Sequence, residues 1–452
     1  MSSLVANPIR YPDTASSPMM TRRAWWLLIL GFLIPGSAQV LAGNRKLGRF
    51  GLGATLGMWA AAIIAVLLYS FLRTPFISVV TQGWFLLVVQ AFLLAYGVLW
   101  LVLTLNTFRL LKIIKAAPGA RFWIAIATVI FLVLSVGGAG GAAYYAGIAR
   151  GALGSIFGNS APVAPVDGRY NILLLGGDAG EDREGLRPDS ISVVSIDANT
   201  GAATIIGLPR DLLHVPFSDG PFHDAYPDGY QNCDVSACKL NSVYTEAQLR
   251  HPDWYPDAEG KGSSPGIEAT RDAAEGITGL TVQFYVLIDM AGFSQMIDAL
   301  GGVEIDVKER LPIGGDEHLN NVDEWIEVGK QKLDGYHAEW YARSRHSTSD
   351  WDRMRRQHEL QEAILHQFTP GNVLTKFQAI ADAGSQVVKT DVPQSMLGYF
   401  SDLALKTREH EITNLELSPP TVPDQDNPNF EHIRELVIDA VAPPETTSSD
   451  GP

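Results

Sequence analysis

Four apolar runs, residues 24–42, 50–72, 84–105 and 122–146, limit this chain more than any other feature. The last three are long enough to cross a bilayer, whose hydrocarbon core takes about 20 helical residues. The first, "AWWLLILGFLIPGSAQVLA", is interrupted by Pro35, Gly36, Ser37 and Gln39. Charge divides the chain at the same place. Residues 1–150 carry twelve Lys and Arg against a single acid, Asp13, for a net of +11, and the remainder carries −26. Such a split assigns the two parts to different environments.

Basic residues set the topology. Arg22 and Arg23 precede the first run; Arg45, Lys46 and Arg49 follow it; Arg73 lies between the second and third; Arg109, Lys112, Lys115 and Arg121 lie between the third and fourth. If the first run is re-entrant, every cluster falls inside and the acidic part falls outside. The expectation is therefore three full spans plus a Pro-broken half-span. Four spans with an external N-terminus would export the acidic part equally well. No cleaved signal peptide is expected, because further spans follow. The expected organisation is a cytoplasmic tail (1–21), a transmembrane region (22–148), a Gly, Ala and Pro-rich linker (149–168), an exported domain (169–420) and a C-terminal segment (421–452) ending in a disordered tail.

Within the exported part, "YNILLLGGD", "SISVVSID", "AATIIGLP" and "TVQFYVLID" read as strands, the second and third joined by the turn "ANTG". "VEIDV" and residues 411–417 read as shorter strands. Helical patterns fall at 240–250, 266–279, 290–300, 335–342, 351–368, 372–383 and 393–406. Gly301 and Gly302 stop the third of these. Residues 211–240 form a long polar loop, and 440–452 a disordered tail. Alternating strands and helices imply a layered α/β domain. Cys233 and Cys238, the two cysteines, are expected to staple their loop, since thiols this close outside the cytosol oxidise. One C-x4-C offers too few ligands for zinc.

The segment "YARSRHSTSDWDRMRRQ" concentrates Arg343, Arg345, Arg353, Arg355 and Arg356 beside Asp350 and Asp352 in an acidic domain. Ser349 and Asp352 resemble a capping box, which starts a helix near Asp350. Arg353, Gln357, Leu360 and Ile364 then share one face, with Arg356 close to it. Arg343 and Arg345 point the same way if "YARSR" is extended. Arg355 falls to the side. Ordinary surface ion pairs would account for one or two arginines, at ~0–1 kcal/mol each. Four convergent guanidiniums repel, by about 3 kcal/mol for a pair about 6 Å apart at an effective dielectric of about 20, unless an anion lies between them. Phosphate suits them. Asp178 ends one strand and Asp189 begins the next, a pair suited to Mg²⁺. Arg187 precedes Asp189 by two. Arg210 and Asp211, in "LPRD", emerge at the same edge, and "CKLNSVY" adds Lys239 and Asn241. Glu181, Asp182 and Glu184 read as solvent-facing turn acids.

The ordered run "NILLLGGD…RPDSISVVSID…IIGLPRD…KLNSVY…VLIDMAGFSQMIDALGGVEI…YARSR…DWDRMRRQ" resembles the LytR-CpsA-Psr (LCP) family of cell-wall glycopolymer ligases over residues 169–370. The resemblance implies an extracytoplasmic three-layer α/β/α domain with a mixed central sheet, on a multi-pass anchor in the cell membrane. It implies Mg²⁺-assisted transfer of a glycopolymer from a polyprenyl-pyrophosphate carrier to peptidoglycan. By position, Asp178 and Asp189 match the family's metal-site aspartates. Arg187, Arg210, Arg343 and Arg345 match its pyrophosphate-binding arginines, and Lys239, Asp350, Arg353 and Gln357 match further polar positions. Pro188 stands where a small polar residue is usual, Gly207 where Ser often precedes Pro-Arg-Asp, and 212–238 exceeds the minimal loop.

Either Asp211 or Asp350 could take the attacking hydroxyl's proton. A prenyl chain needs an apolar groove, expected among Phe284, Val286, Phe293 and Ile364, although ordinary core packing explains the same pattern. Release of polyprenyl phosphate by water, and non-catalytic sensing of the lipid-linked precursor, are the competing readings. No nucleic-acid partner is expected: the exported part has no basic patch with interleaved aromatics. P-loop and H-E-x-x-H motifs are absent from the sequence, and the G-x-S-x-G match at Gly262–Gly266 follows no strand, as a nucleophile elbow would.

Overall fold

The computed structural model describes residues 9–158, 160–178, 187–316, 318–344, 350–367 and 388–442. The chain forms two compact units, Met1–Gly151 and Ala152–Pro452. In the first, the Pro-broken run divides into α1 (Ser17–Leu33) and α2 (Ser37–Ala42), followed by α3 (Arg45–Phe71), α4 (Arg73–Val80), α5 (Gly83–Leu111) and α6 (Pro118–Ile156). Three stretches are long and apolar enough to cross a membrane: Arg45–Phe71, Gly83–Lys115 and Pro118–Ile156. Gly36 turns the chain between α1 and α2 with a φ of 97°. A Cβ there would sit 2.6 Å from the Gly48 carbonyl oxygen, so α2 folds against α3 only because this residue is glycine. Buried Gln39 donates to the Leu103 carbonyl at 2.7 Å and to Thr107 Oγ1 at 2.9 Å, which ties α2 to α5.

The second unit contains, in chain order, β1 (Arg169–Asp178), β2 (Arg187–Asp197), β3 (Ala203–Leu208), α7 (Pro221–Ala225), α8 (Leu240–Leu249), α9 (Pro265–Thr278), β4 (Phe284–Asp289), α10 (Met290–Leu300), β5 (Val303–Val307), β6 (Leu311–Gly314), β7 (Val322–Ile326), β8 (Gly329–Leu333), α11 (Gly335–Arg343), α12 (Asp350–Gln367), β9 (Val388–Thr390), α13 (Leu397–Thr407), β10 (Thr413–Glu416) and α14 (Phe430–Val441). The central sheet is mixed, in the order β10-β3-β2-β1-β4-β9. β1 pairs parallel with β4 and β3 with β10, while β1–β2, β2–β3 and β4–β9 are antiparallel.

Alternation along the strands decides which residues face which layer. Leu173, Leu175, Ile191, Val193, Ile206, Leu208, Tyr285 and Leu287 bury one face against α8, α9 and α14. The other face carries two separate cores. Tyr170, Phe284, Val392, Met396 and Leu403 pack under α13. Ile297, Val303, Ile305, Leu333, Tyr341 and Leu360 join α10, α11 and α12 to the small β5–β8 pair. The result is the expected three-layer α/β/α domain.

Several boundaries differ from expectation. α6 continues to Ile156, and Gly158 donates to the Val392 carbonyl at 3.0 Å, so most of the predicted linker is helical or docked. The C-terminal segment adds α14, whose Ile433 and Val437 lie in the main core, so the domain runs on to 441 rather than 420. The expected helix at 372–383 and residues 443–452 of the tail lie outside the described residues. The cysteines form the expected Cys233–Cys238 disulfide.

One buried carboxylate makes stability depend on pH. Asp272, on α9, is pushed up to about 7, first by burial and then by neighbouring Glu275 and Glu268, although the Tyr255 hydroxyl donates to it at 2.5 Å. The folded state therefore holds a proton that the unfolded chain releases near pH 4, and stability falls as pH rises between about 4 and 7. Asp272→Asn should remove this loss and stabilise the domain at pH 8 by about 2 kcal/mol, relative to wild type, after solvent screening. Paired denaturant titrations at pH 5 and pH 8 check it: the gain must be larger at pH 8.

Candidate functional site

The parallel strands deliver the candidate residues to one edge of the sheet. β1, β4, β3 and β10 all run toward it, and β2 starts from it. Crevices at the carboxyl ends of sheet strands are where α/β domains bind ligands. There, Gly176 pairs with Ser190 and Gly177 with Pro188, leaving Asp189 as the extra residue of a β-bulge. A bulge re-aims its side chain. Asp178 faces Arg187 across the strand pair, and Asp289 of β4 is in register with Gly177.

Four predicted residues meet beside this bulge. Arg210 Nη1 pairs with Asp189 Oδ1, and Arg210 Nε donates to Asp211 Oδ2 at 3.3 Å. Lys239 Nζ donates to the other Asp211 oxygen at 2.7 Å. Charge alternates along this array, Asp189, Arg210, Asp211, Lys239, and all four side chains stay partly open to solvent. Burial pushes the Asp211 carboxyl up, but the Lys239 ammonium and the Arg210 guanidinium outweigh it and hold the group below the ordinary carboxylate range. Lys239 is the N-cap of α8, and that helix docks by its first turn: Leu240 N–H donates to the Leu212 carbonyl and Asn241 N–H to the Arg210 carbonyl, both at 3.0 Å. Asn241 itself is buried.

Among the described residues of the arginine-rich segment, Arg343 and Arg356 do not meet as expected. "YAR" is helical: Ala338, Tyr341 and Ala342 recur at helical spacing and pack into the second core, so α11 runs on through Arg343. Arg343 consequently points back along its own helix to Glu339, at 2.6 Å. Arg356 is buried. Its Nε donates to the Tyr341 carbonyl at 2.9 Å, its Nη2 to the Ser344 carbonyl, and its Nη1 lies 3.3 Å from Glu309. Gln357 donates to the Ala342 carbonyl at 3.2 Å. The last carbonyls of a helix have no intrahelical partner and carry partial negative charge. Arg356 and Gln357 supply the missing donors, so they cap α11 from α12. Arg353 is buried on the same helix. Arg355 is a surface residue, 2.9 Å from Asp352, as the sequence indicated. Arg345 and the acids Glu181, Asp182 and Glu184 lie outside the described residues, and Asp178, Arg187 and Asp350 are placed by their backbone.

Sequence reasoning missed His358 and Glu416. His358 Nδ1 pairs with Glu416 Oε1 over β3. A Cβ on Gly207 would come within 2.5 Å of both His358 Cε1 and Glu416 Oε2, so glycine here admits the pair. No spacing signal links three residues this far apart in the chain. Of the expected groove residues, Phe284 is ordinary core under α13, and Phe293 and Ile364 pack in the second core.

The cell wall biosynthesis protein LcpA of Corynebacterium glutamicum is 29% identical over 348 residues, 66% of this chain and 61% of that protein. The polyisoprenyl-teichoic acid–peptidoglycan teichoic acid transferase TagU of Halalkalibacterium halodurans is 26% identical over 225 residues, 49% of this chain and 61% of that protein. The chain thus spans less than two thirds of either relative. The crystal structure of B. subtilis TagV matches with 20% identity and a TM-score of 0.42, over 60% of this chain and 96% of that one. Residues 155–431, more than half of the chain, match the LytR_cpsA_psr family profile, and the chain belongs to the LytR-CpsA-Psr family.

Proposed function

We propose that this protein is a membrane-anchored phosphotransferase that moves a glycopolymer from a polyprenyl-pyrophosphate carrier to a hydroxyl of peptidoglycan. The observation that carries the reading is the Asp189–Arg210–Asp211–Lys239 array beside the bulge at the sheet's carboxyl edge. Phosphoryl transfer depends mainly on positioning and on neutralising charge spread over the phosphate oxygens. The planar Arg210 fork matches those oxygens, and two carboxylates hold it in place before substrate arrives. Family membership and the names of LcpA and TagU support the same class of chemistry.

In the proposed step the acceptor oxygen bonds to the glycan-side phosphorus. The bond to the bridging oxygen breaks, and polyprenyl phosphate leaves with its electron pair. The hydroxyl proton passes to a carboxylate, Asp211 or Asp350. Mg²⁺ is the implied cofactor. Asp178 and Asp189 offer only hard carboxylate oxygens at one strand-pair end, a donor set that such a cation accepts, and they would hold it. When bound, it would neutralise charge on the diphosphate. For the carrier's isoprene units, Ile172, Leu174, Val194 and Val286 leave an apolar stretch of the sheet's second face only partly buried. Each CH₂ buried there is worth about 0.8 kcal/mol. Anchoring would keep the domain beside a donor confined to the bilayer.

The test is turnover by the full-length protein in detergent with phosphorus-labelled donor, Mg²⁺ and peptidoglycan. Label in a peptidoglycan phosphodiester is expected. Label only in free glycan phosphate would make it a pyrophosphatase, and donor binding without turnover would make it a sensor. Lys239→Ala then identifies the base. Lys239 holds the Asp211 carboxyl down, so its loss should move the acid limb of kcat/KM to higher pH if Asp211 takes the proton. An unmoved limb assigns the role to Asp350.

A further inference from the structure

A second cluster lies on α8, away from the strand ends. Asp234 sits in the loop closed by the Cys233–Cys238 disulfide, Glu246 lies in the last turns of α8, and His251 follows the helix. Arg250 and His251 N–H both donate to the Glu246 carbonyl, at 2.8 and 3.2 Å, which turns the imidazole back toward Glu246's own helix. The ring stacks on Trp254, centroids 4.0 Å apart and planes 15° apart, which fixes its direction. Its Nε2 then lies 3.0 Å from Asp234 Oδ2 and 3.9 Å from Glu246 Oε1. The three ligand atoms all lie within 4.8 Å of one another.

We propose that Asp234, Glu246 and His251 form a site for a divalent transition-metal ion of the zinc class. Donors about 2.1 Å from a tetrahedral ion lie about 3.4 Å apart. The separations of 3.0 and 3.9 Å bracket that value. Glu246 is completely buried, and hydroxyls of Tyr226 and Tyr230 donate to its two oxygens. Hydrogen bonds of this kind orient metal-binding carboxylates. Those donors are neutral, and the imidazole at 3.9 Å is beyond hydrogen-bonding reach of Glu246. A buried carboxylate in this position gains most from a nearby cation. One imidazole and two carboxylates select zinc over magnesium or calcium, which take oxygen ligands alone. The ion would join the disulfide loop to α8. Lys239 lies between them, immediately after Cys238, so the metal would fix the turn that carries a member of the Asp211 array.

The experiment uses oxidised full-length protein in detergent, stripped with chelator, saturated with Mg²⁺ and titrated calorimetrically with Zn²⁺. Oxidised protein is essential because free Cys233 and Cys238 would bind zinc themselves. Wild type should bind one equivalent and gain thermal stability. Asp234→Asn should weaken binding at least tenfold, and His251→Ala should abolish it. Asp253→Asn, an exposed neighbour, should change nothing. Asp234 is 64% exposed, so its variant folds whether or not the His251 variant does. Equal binding by wild type and Asp234→Asn, or no zinc uptake by wild type, overturns the proposal and leaves only the hydrogen bond between His251 and Asp234.

Discussion

Arg210→Ala should lower the rate of the proposed glycopolymer transfer by about 10³-fold, the scale on which a single transition-state arginine acts in phosphoryl transfer. The loss should fall on kcat more than on KM, because charge on the phosphate oxygens grows toward the transition state. Arg210→Lys should recover little, since a lysine keeps the charge but not the planar fork. Folding should survive: Arg210, Asp189 and Asp211 are all partly solvated, and Lys239 still pairs with Asp211 in the variant. Pairs open to solvent in this way are worth on the order of 1 kcal/mol. Single-turnover kinetics beside a thermal melt would check both halves. Activity within tenfold of wild type would remove the central support for phosphotransfer.

Arg356→Ala should do the opposite, costing roughly 3 kcal/mol of stability while leaving KM for the donor unchanged. Its guanidinium is buried and donates to the Tyr341 and Ser344 carbonyls beside Glu309. Truncation strands those carbonyls, at about 1–3 kcal/mol for each group left unsatisfied. It also leaves a void against Tyr341, whose ring centroid lies 6.0 Å from the guanidinium carbon. Denaturant unfolding measures the first effect and donor titration of the folded fraction the second. A raised KM with unchanged stability would return Arg356 to the substrate side.

These two arginines show where sequence reading works and where it stops. "LPRD" follows an apolar run that begins after the "ANTG" turn signal, so its place at the end of a strand was legible from that run. β1, β2 and β3 were legible for the same reason, as were α9 from its helical pattern and α10 from its glycine stop. "YARSR" misled because short segments do not reveal their period. Ala338, Tyr341 and Ala342 become a helical face only once the second core exists to receive them. β7 and β8, "VDEWI" and "GKQKL", escaped notice because charged residues fill their exposed positions. α14 was overlooked although Asn429 caps it and Ile433 and Val437 are spaced for burial. The pairing of His358 with Glu416 above Gly207 depends wholly on tertiary neighbours, and no local rule reports it.

The bulge at Asp189 has an evolutionary consequence. Deleting this one residue would leave Ser190 opposite Gly176, Pro188 opposite Gly177 and Arg187 opposite Asp178, so the ladder would close without a slip and Ile191 and Val193 would stay anchored in the interior. The carboxylate that meets Arg210 can therefore be lost by a one-residue deletion as readily as by a substitution. In divergent descendants, loss of this contact should be recorded either as substitutions at this position or as a strand pair shortened by one residue.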